Sequence, residues 1–285
     1  MNFSVKNKED MLAAVADSSG IIKKGRFEDN SMYSGLFVTA TDTDIGKTYI
    51  SGAIAAALRL RGINTGVMKP VASGGVYGKD GILRSEDAGF LMEAAGFSEE
   101  SRQDVNPVCL FPALTPAVAA IESGTVIEPK RLVEACKGML RRKEFTIIEG
   151  VGGILAPIWE DYLVADMIQD LSLPVLIITR PNLGTINHTV LTVDYAQRHG
   201  IHVGGIIINH WNQEEIGVRE RSNWEYIERL SKVPVLGAFP TVAGLVAGEQ
   251  AMRQLGDLAE RQLDIDRILG FEGSDGDDRH DGYGA

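Results

Sequence analysis

Ala40-Thr41-Asp42-Thr43-Asp44-Ile45-Gly46-Lys47-Thr48 follows the apolar run Leu36-Phe37-Val38 and precedes an alanine-rich segment, 50–61. The apolar run reads as a buried strand and the alanine-rich segment as a helix. A loop that joins strand to helix and ends Gly-Lys-Thr is a phosphate loop. The first amides of a helix have no partner within it, and the helix dipole adds partial positive charge at that end. Gly46 lets the backbone approach a phosphate. Lys47 supplies a full charge, and the Thr48 hydroxyl is placed to ligate Mg2+. The standard pattern has glycine where Thr41 stands. The strand before the loop and the helix after it carry the reading in spite of that departure.

The pattern continues outward. Short runs rich in Val and Ile at 35–39, 65–68, 145–148, 175–178, 203–208 and 235–239 read as strands. Helical patterns at 47–61, 85–95, 129–142, 161–171, 185–199 and 222–231 separate them, and a last helix is expected over 248–269. Strands apolar on both faces, alternating with helices, specify an α/β fold. The expected architecture is a doubly wound, mostly parallel sheet with helices on both faces, of the P-loop NTPase type. Residues 34–270 are expected to form one domain. Residues 1–33 read as an amino-terminal extension, with a short helix over 6–15. Residues 271–285, with Asp275, Asp277, Asp278 and Asp281 among glycines, read as a disordered acidic tail.

The chain has 285 residues, 44% of them hydrophobic, and a net charge of −11. That charge argues against nucleic acid as a partner, because phosphodiester binding needs a basic surface. It leaves room for a nucleotide, which needs only a local positive pocket. No run approaches the ~20 apolar residues of a membrane span, and no signal peptide is visible. The two cysteines, Cys109 and Cys136, lack metal-ligand spacing and read as reduced thiols of a cytoplasmic protein.

In a doubly wound sheet, ligands gather at the carboxyl ends of the strands. After the second strand comes Lys69-Pro70-Val71-Ala72-Ser73-Gly74, where Lys69 is either a solvated lysine or a second cation near the phosphate loop. In Arg84-Ser85-Glu86-Asp87-Ala88, Ser85 suits an N-cap and the two acids suit the positive end of a helix. A carboxylate there also suits a metal. Ile147-Ile148-Glu149-Gly150-Val151-Gly152-Gly153 closes an apolar strand with a carboxylate and glycines, which reads as a Mg2+ ligand or as a turn. Leu183-Gly184-Thr185-Ile186-Asn187-His188 opens a helix whose amides can hold an anion. Asn209-His210 ends the fifth strand, where Asn suits a base edge or a turn. His188 and His210 are weak acid–base candidates. No Ser/His/Asp set appears, and phosphoryl transfer needs none, since it depends on positioning and charge neutralisation.

Together these segments resemble the dethiobiotin synthetase family, from about residue 35 to 240. The Lys-Pro-Val-Ala-Ser-Gly segment is the most selective of them. The resemblance implies an ATP-dependent ligase of biotin biosynthesis that carboxylates 7,8-diaminononanoate with CO2 and closes a cyclic urea through a phosphorylated carbamate. By position, Lys47 and Lys69 would be catalytic. Asp44, Ile45, Gly46, Lys47, Thr48, Tyr49, Asn209 and Pro240 would bind ATP, with Asn209 reading adenine. Thr48, Asp87 and Glu149 would hold Mg2+. Thr43, Lys69, Ser73 and Gly152 would bind substrate. Thr185, Ile186 and Asn187 would take its carboxylate from the neighbouring subunit of a homodimer. The chain departs from the family pattern at Ala40, Asp44, Val151 and His210. The rival reading is a nucleotide-gated regulatory ATPase of the partitioning or septum-positioning class. That class carries an early lysine in its loop, where this chain has Thr and Asp.

Overall fold

The computed structural model describes residues 34–242 and 248–270. The expected amino-terminal extension and acidic tail lie outside the described residues. Six strands form the central sheet: β1 (Gly35–Ala40), β2 (Thr65–Met68), β3 (Phe145–Glu149), β4 (Val175–Thr179), β5 (Val203–Asn209) and β6 (Val235–Phe239). They lie in the order β6-β5-β4-β1-β3-β2, and every pairing is parallel. All residues of β1, β2, β3 and β4 are buried. Successive side chains in a strand point to opposite faces. Both faces of the sheet are therefore covered, as the unbroken apolar runs require.

Eight helices of seven residues or more are described: α1 (Lys47–Leu60), α2 (Glu86–Ala95), α3 (Pro116–Glu122), α4 (Pro129–Arg142), α5 (Val164–Leu171), α6 (Thr185–Arg198), α7 (Val218–Ser231) and α8 (Glu249–Gln262). α1 packs against α8 and α2, α4 against α5, and α6 against α7. One apolar cluster runs through the sheet and its helices. Strand order reverses direction at β1, the first strand, so its carboxyl end opens a crevice between the diverging halves. The phosphate loop fills that end of β1.

The structure corrects three helix boundaries. The helix expected over 161–171 begins at Val164. Tyr162–Leu163 instead pairs antiparallel with Pro157–Trp159, and the Asp166 carboxylate accepts the Leu163 amide at 2.7 Å, which caps the helix there. The helix expected over 222–231 begins at Val218, because Glu220 accepts the Gly217 amide at 2.8 Å. The single helix expected over 248–269 is broken. At the break the Asp264 amide donates to the Leu236 carbonyl at 2.8 Å, which turns the backbone toward β6. The Asp264 side chain then caps a second short helix, Ile265–Leu269.

Candidate active site

The phosphate loop has the backbone its sequence requires. Gly46 lies at φ 87°, a left-handed conformation that only glycine adopts without strain. A methyl group at this position would lie 2.2 Å from the Asn209 amide nitrogen. That nitrogen donates to the Ile45 carbonyl at 2.8 Å, so the end of β5 buttresses the loop. Asn209 thus has a structural task that its sequence position alone does not reveal. Ile45 is buried in the core, and its carbonyl is taken by Asn209.

Lys47 is only 7% exposed, and its ammonium lies 3.4 Å from the Asp42 carbonyl. Burial, reinforced by the nearby charge of Lys69, pushes its pKa below the ordinary lysine value. Two buried cations lining one cleft favour an incoming polyanion.

Beneath the loop, three charges from three elements converge. The Lys69 ammonium lies 2.6 Å from Glu149 Oε1 and 2.9 Å from Asp87 Oδ2, and it also donates to the Gly150 carbonyl at 3.3 Å. Burial alone would favour neutral Lys69. The charges of Glu149 and Asp87 outweigh it and hold the pKa above the ordinary value. Burial likewise opposes ionisation of Asp87, but Lys69 wins and lowers its pKa. Thr48 Oγ1 donates to Glu149 Oε1 at 2.7 Å. The capping reading of the Asp87 segment is realised. The Ser85 side chain caps α2 by accepting the Ala88 amide at 3.2 Å, and Asp87 reaches the charge cluster from the same turn.

Glu149 is completely buried, and its Oε2 has no hydrogen-bond partner. An unpartnered buried carboxylate oxygen is costly, and a cation would satisfy it. Glu149, Asp87 and the Thr48 hydroxyl form a hard, all-oxygen donor set. No cluster of three or more His, Cys, Asp or Glu forms a metal cage among the described residues. Mg2+ does not need one, since it uses one or two carboxylates and completes its shell with phosphate oxygens and water. The donors fit that ion.

Two adjoining clefts open here. The first, about 620 Å3, is lined by Gly46, Lys47, Thr48, Tyr49, Lys69 and Asp87 among others. The second, about 670 Å3, is lined by Thr41, Leu114, Thr115, Leu155 and Thr192 among others. Thr43, Asp44, Ser73 and Gly152 border both. Of the sequence-derived phosphate, metal and substrate candidates from these segments, all but the buried Ile45 and Glu149 line these clefts, and Glu149 contacts them only through Lys69 and Thr48. Thr185, Ile186 and Asn187 line neither cleft, and neither do Asn209 and Pro240. Thr185 is buried while Asn187, beside it at the start of α6, is exposed. His210 borders the first cleft and contacts Thr241 Oγ1 at 3.0 Å; burial, aided by Arg180, lowers its pKa. His188 is exposed.

Sequence reasoning missed α3 and the Leu114-Thr115 approach to it, which wall the second cleft. The signal was Thr115-Pro116, since proline favours the first turn of a helix. It also missed Arg180, whose guanidinium lies 3.6 Å from the Asp42 carboxylate.

A family model described as an AAA domain matches residues 34–249. The chain is 39% identical over 219 residues to an ATP-dependent dethiobiotin synthetase BioD of Bacillus cereus, covering 77% of this chain and 88% of that protein. It is 39% identical over 202 residues to the protein of the same name from Methanococcus vannielii, covering 71% and 91%. With that of Bacillus licheniformis it shares 40% identity over 235 residues, covering 82% and 95%. Among solved structures, a ParA family ATPase from Chlorobium tepidum is similar with a TM-score of 0.49 and 14% identity, covering 83% of this chain and 96% of that one.

Proposed function

The chain belongs to the ATP-dependent dethiobiotin synthetase family, and on that premise we propose how its clefts carry out the ring closure. It is an ATP-dependent ligase of biotin biosynthesis, acting on ATP, diaminononanoate and CO2. One amine of the diamine takes up CO2 as a carbamate. A carbamate oxygen attacks the γ-phosphorus and ADP leaves. The second amine then attacks the carbonyl carbon of the mixed anhydride, phosphate leaves, and the cyclic urea closes. No step needs a nucleophilic side chain, consistent with a site that offers cations and amides instead.

Lys47 and the first amides of α1 hold the phosphates, with Asp44, Tyr49, Asn209 and Pro240 toward the nucleoside. Thr48, Asp87 and Glu149 would hold Mg2+, which when bound neutralises charge on the phosphate oxygens. Lys69 serves the carbamate and the transferring phosphoryl group. Its ammonium is held in place by two carboxylates, Asp87 and Glu149. Thr43, Ser73 and the Gly152 backbone orient the diamine where the two clefts meet. The observation that carries this reading is the Lys69–Asp87–Glu149 cluster under the phosphate loop, at the head of the first cleft and beside the second.

The Ile186 amide, with Asn187, binds the substrate carboxylate of the partner subunit in a homodimer; Thr185, expected to share this task, is buried and its amide already donates to the Asn182 carbonyl at 3.1 Å. Support comes from apolar exposure on this side: Leu183 is 86% and Leu191 59% exposed, and Leu114 and Leu155 stand half-exposed at the second cleft. The protein acts in the cytoplasm, and no described helix is long and apolar enough to cross a membrane.

Turnover with isotopically labelled bicarbonate should yield a cyclic urea carrying the label, read by mass spectrometry. Product without label would overturn the chemistry. For the shared site, Lys47→Ala and Asn187→Ala variants should each be weak alone and recover activity when mixed to exchange subunits. One site of the heterodimer then holds both defects and the other none. No recovery, with heterodimers verified by mass, would place each site within a single subunit.

A further inference from the structure

Four threonine hydroxyls meet between the phosphate loop and α6. Thr179 Oγ1, at the end of β4, lies 2.8 Å from Thr185 Oγ1, 2.9 Å from Thr189 Oγ1 and 3.3 Å from Thr41 Oγ1. Thr179 and Thr189 are fully buried and Thr185 nearly so. A hydroxyl offers one donor and two acceptor sites. Thr179 therefore has its full hydrogen-bonding capacity engaged by three neighbours, which lie on two different elements. Thr41 belongs to the phosphate loop, and its amide also donates to the Ile178 carbonyl at 3.1 Å. Thr185 is the first residue of α6 and Thr189 stands one turn on. The start of α6 has no side-chain cap of its own, because Gly184 occupies the N-cap position. Its orientation is set instead by this buried cluster, and Thr192, further along the same face, borders the second cleft.

We propose that Thr179 is a positioning residue that fixes the phosphate loop and the start of α6 to each other, so that the nucleotide-binding and carboxylate-binding ends of the machinery are set by one buried hydroxyl. Thr179 lines neither cleft. The carboxylate half of this inference rests on the functional reading above, and the nucleotide half does not.

The test compares Thr179→Val, which keeps the shape and removes the hydroxyl, with Thr179→Ser, which keeps the hydroxyl and removes a methyl. Affinity for a fluorescent ATP analogue is measured on the full chain by titration, and affinity for diaminononanoate by calorimetry. With the valine, both should weaken together, by about fivefold or more, as loss of a buried hydrogen-bond hub implies. The serine should restore both, although packing is then the poorer. Thr189→Val, which takes one spoke from the cluster and leaves the Thr41–Thr179–Thr185 line, should leave the analogue affinity near that of wild type. Unchanged affinities in the valine variant would overturn the proposal, and so would equal losses in the valine and serine variants, which would mark the position as mere packing. If wild-type protein fails to bind diaminononanoate, the substrate assignment and the carboxylate half fall together, while the analogue titration still decides the nucleotide half.

Discussion

Replacing Lys69 by methionine tests the charge cluster quantitatively. Methionine keeps most of the length and the apolar stem and removes the ammonium. Glu149, fully buried, would retain only the Thr48 hydroxyl at 2.7 Å, with Oε2 unpartnered as before. Removing one member of a buried ion pair costs about 3–5 kcal/mol, because the surviving charge stays desolvated. The Asp87 side chain is 48% exposed and regains water, so its loss adds no more than about 1 kcal/mol. At about 2–4 °C per kcal/mol for a domain of this size, melting in a chelator should fall by about 6–24 °C. Circular dichroism reads this directly. Mg2+ returns a cation to the same carboxylates, so it should raise the melting temperature of the variant more than that of wild type. Adding Glu149→Gln to Lys69→Met should recover part of the loss, since the orphaned charge disappears. A fall below about 2 °C, or equal Mg2+ responses in variant and wild type, would refute the reasoning.

Three further expectations are simpler. Gly46→Ala places a methyl 2.2 Å from the Asn209 amide nitrogen in a backbone at φ 87°, so it should weaken ATP-analogue binding severely; an affinity within a factor of ~2 of wild type would show that the loop adapts. Asp87→Asn and Glu149→Gln keep shape and lose charge, so each should raise the Mg2+ concentration for half-maximal rate, and an unchanged requirement in both would remove them from the metal site. Burial pushes the thiols of Cys109 and Cys136 up, and Cys136 is inaccessible, so a disulfide reagent at mildly alkaline pH should modify Cys136 only as the protein unfolds; rapid modification of both in the native state would contradict the packing around α4.

The sheet was legible because its strands are buried on both faces, which leaves runs such as Val175-Leu176-Ile177-Ile178 with no polar interruption. The helix ends were less legible, since distant contacts choose among several plausible caps. Nothing local in 248–269 foretells that the backbone at Asp264 turns to pair with Leu236. Lys69 and Glu149 stood out in sequence because each ends an apolar strand, and their separation of 80 residues closes to 2.6 Å only because β2 and β3 are neighbours in the sheet. The threonine cluster was invisible for the opposite reason. Thr41, Thr179 and Thr189 are ordinary in their own segments, and only the pairing of β1 with β4 brings their hydroxyls together.

The most direct measurement of the central claim is phosphate release from ATP by the purified protein, with diaminononanoate and bicarbonate supplied singly and together. On the proposed reading the cations and amides of the site serve a phosphorylated carbamate, so phosphate should appear at a substantial rate only when both are present, with one cyclic urea formed per ATP consumed. Rapid phosphate release from ATP alone, unaffected by either compound, would contradict the assignment and point instead to a nucleotide-gated ATPase.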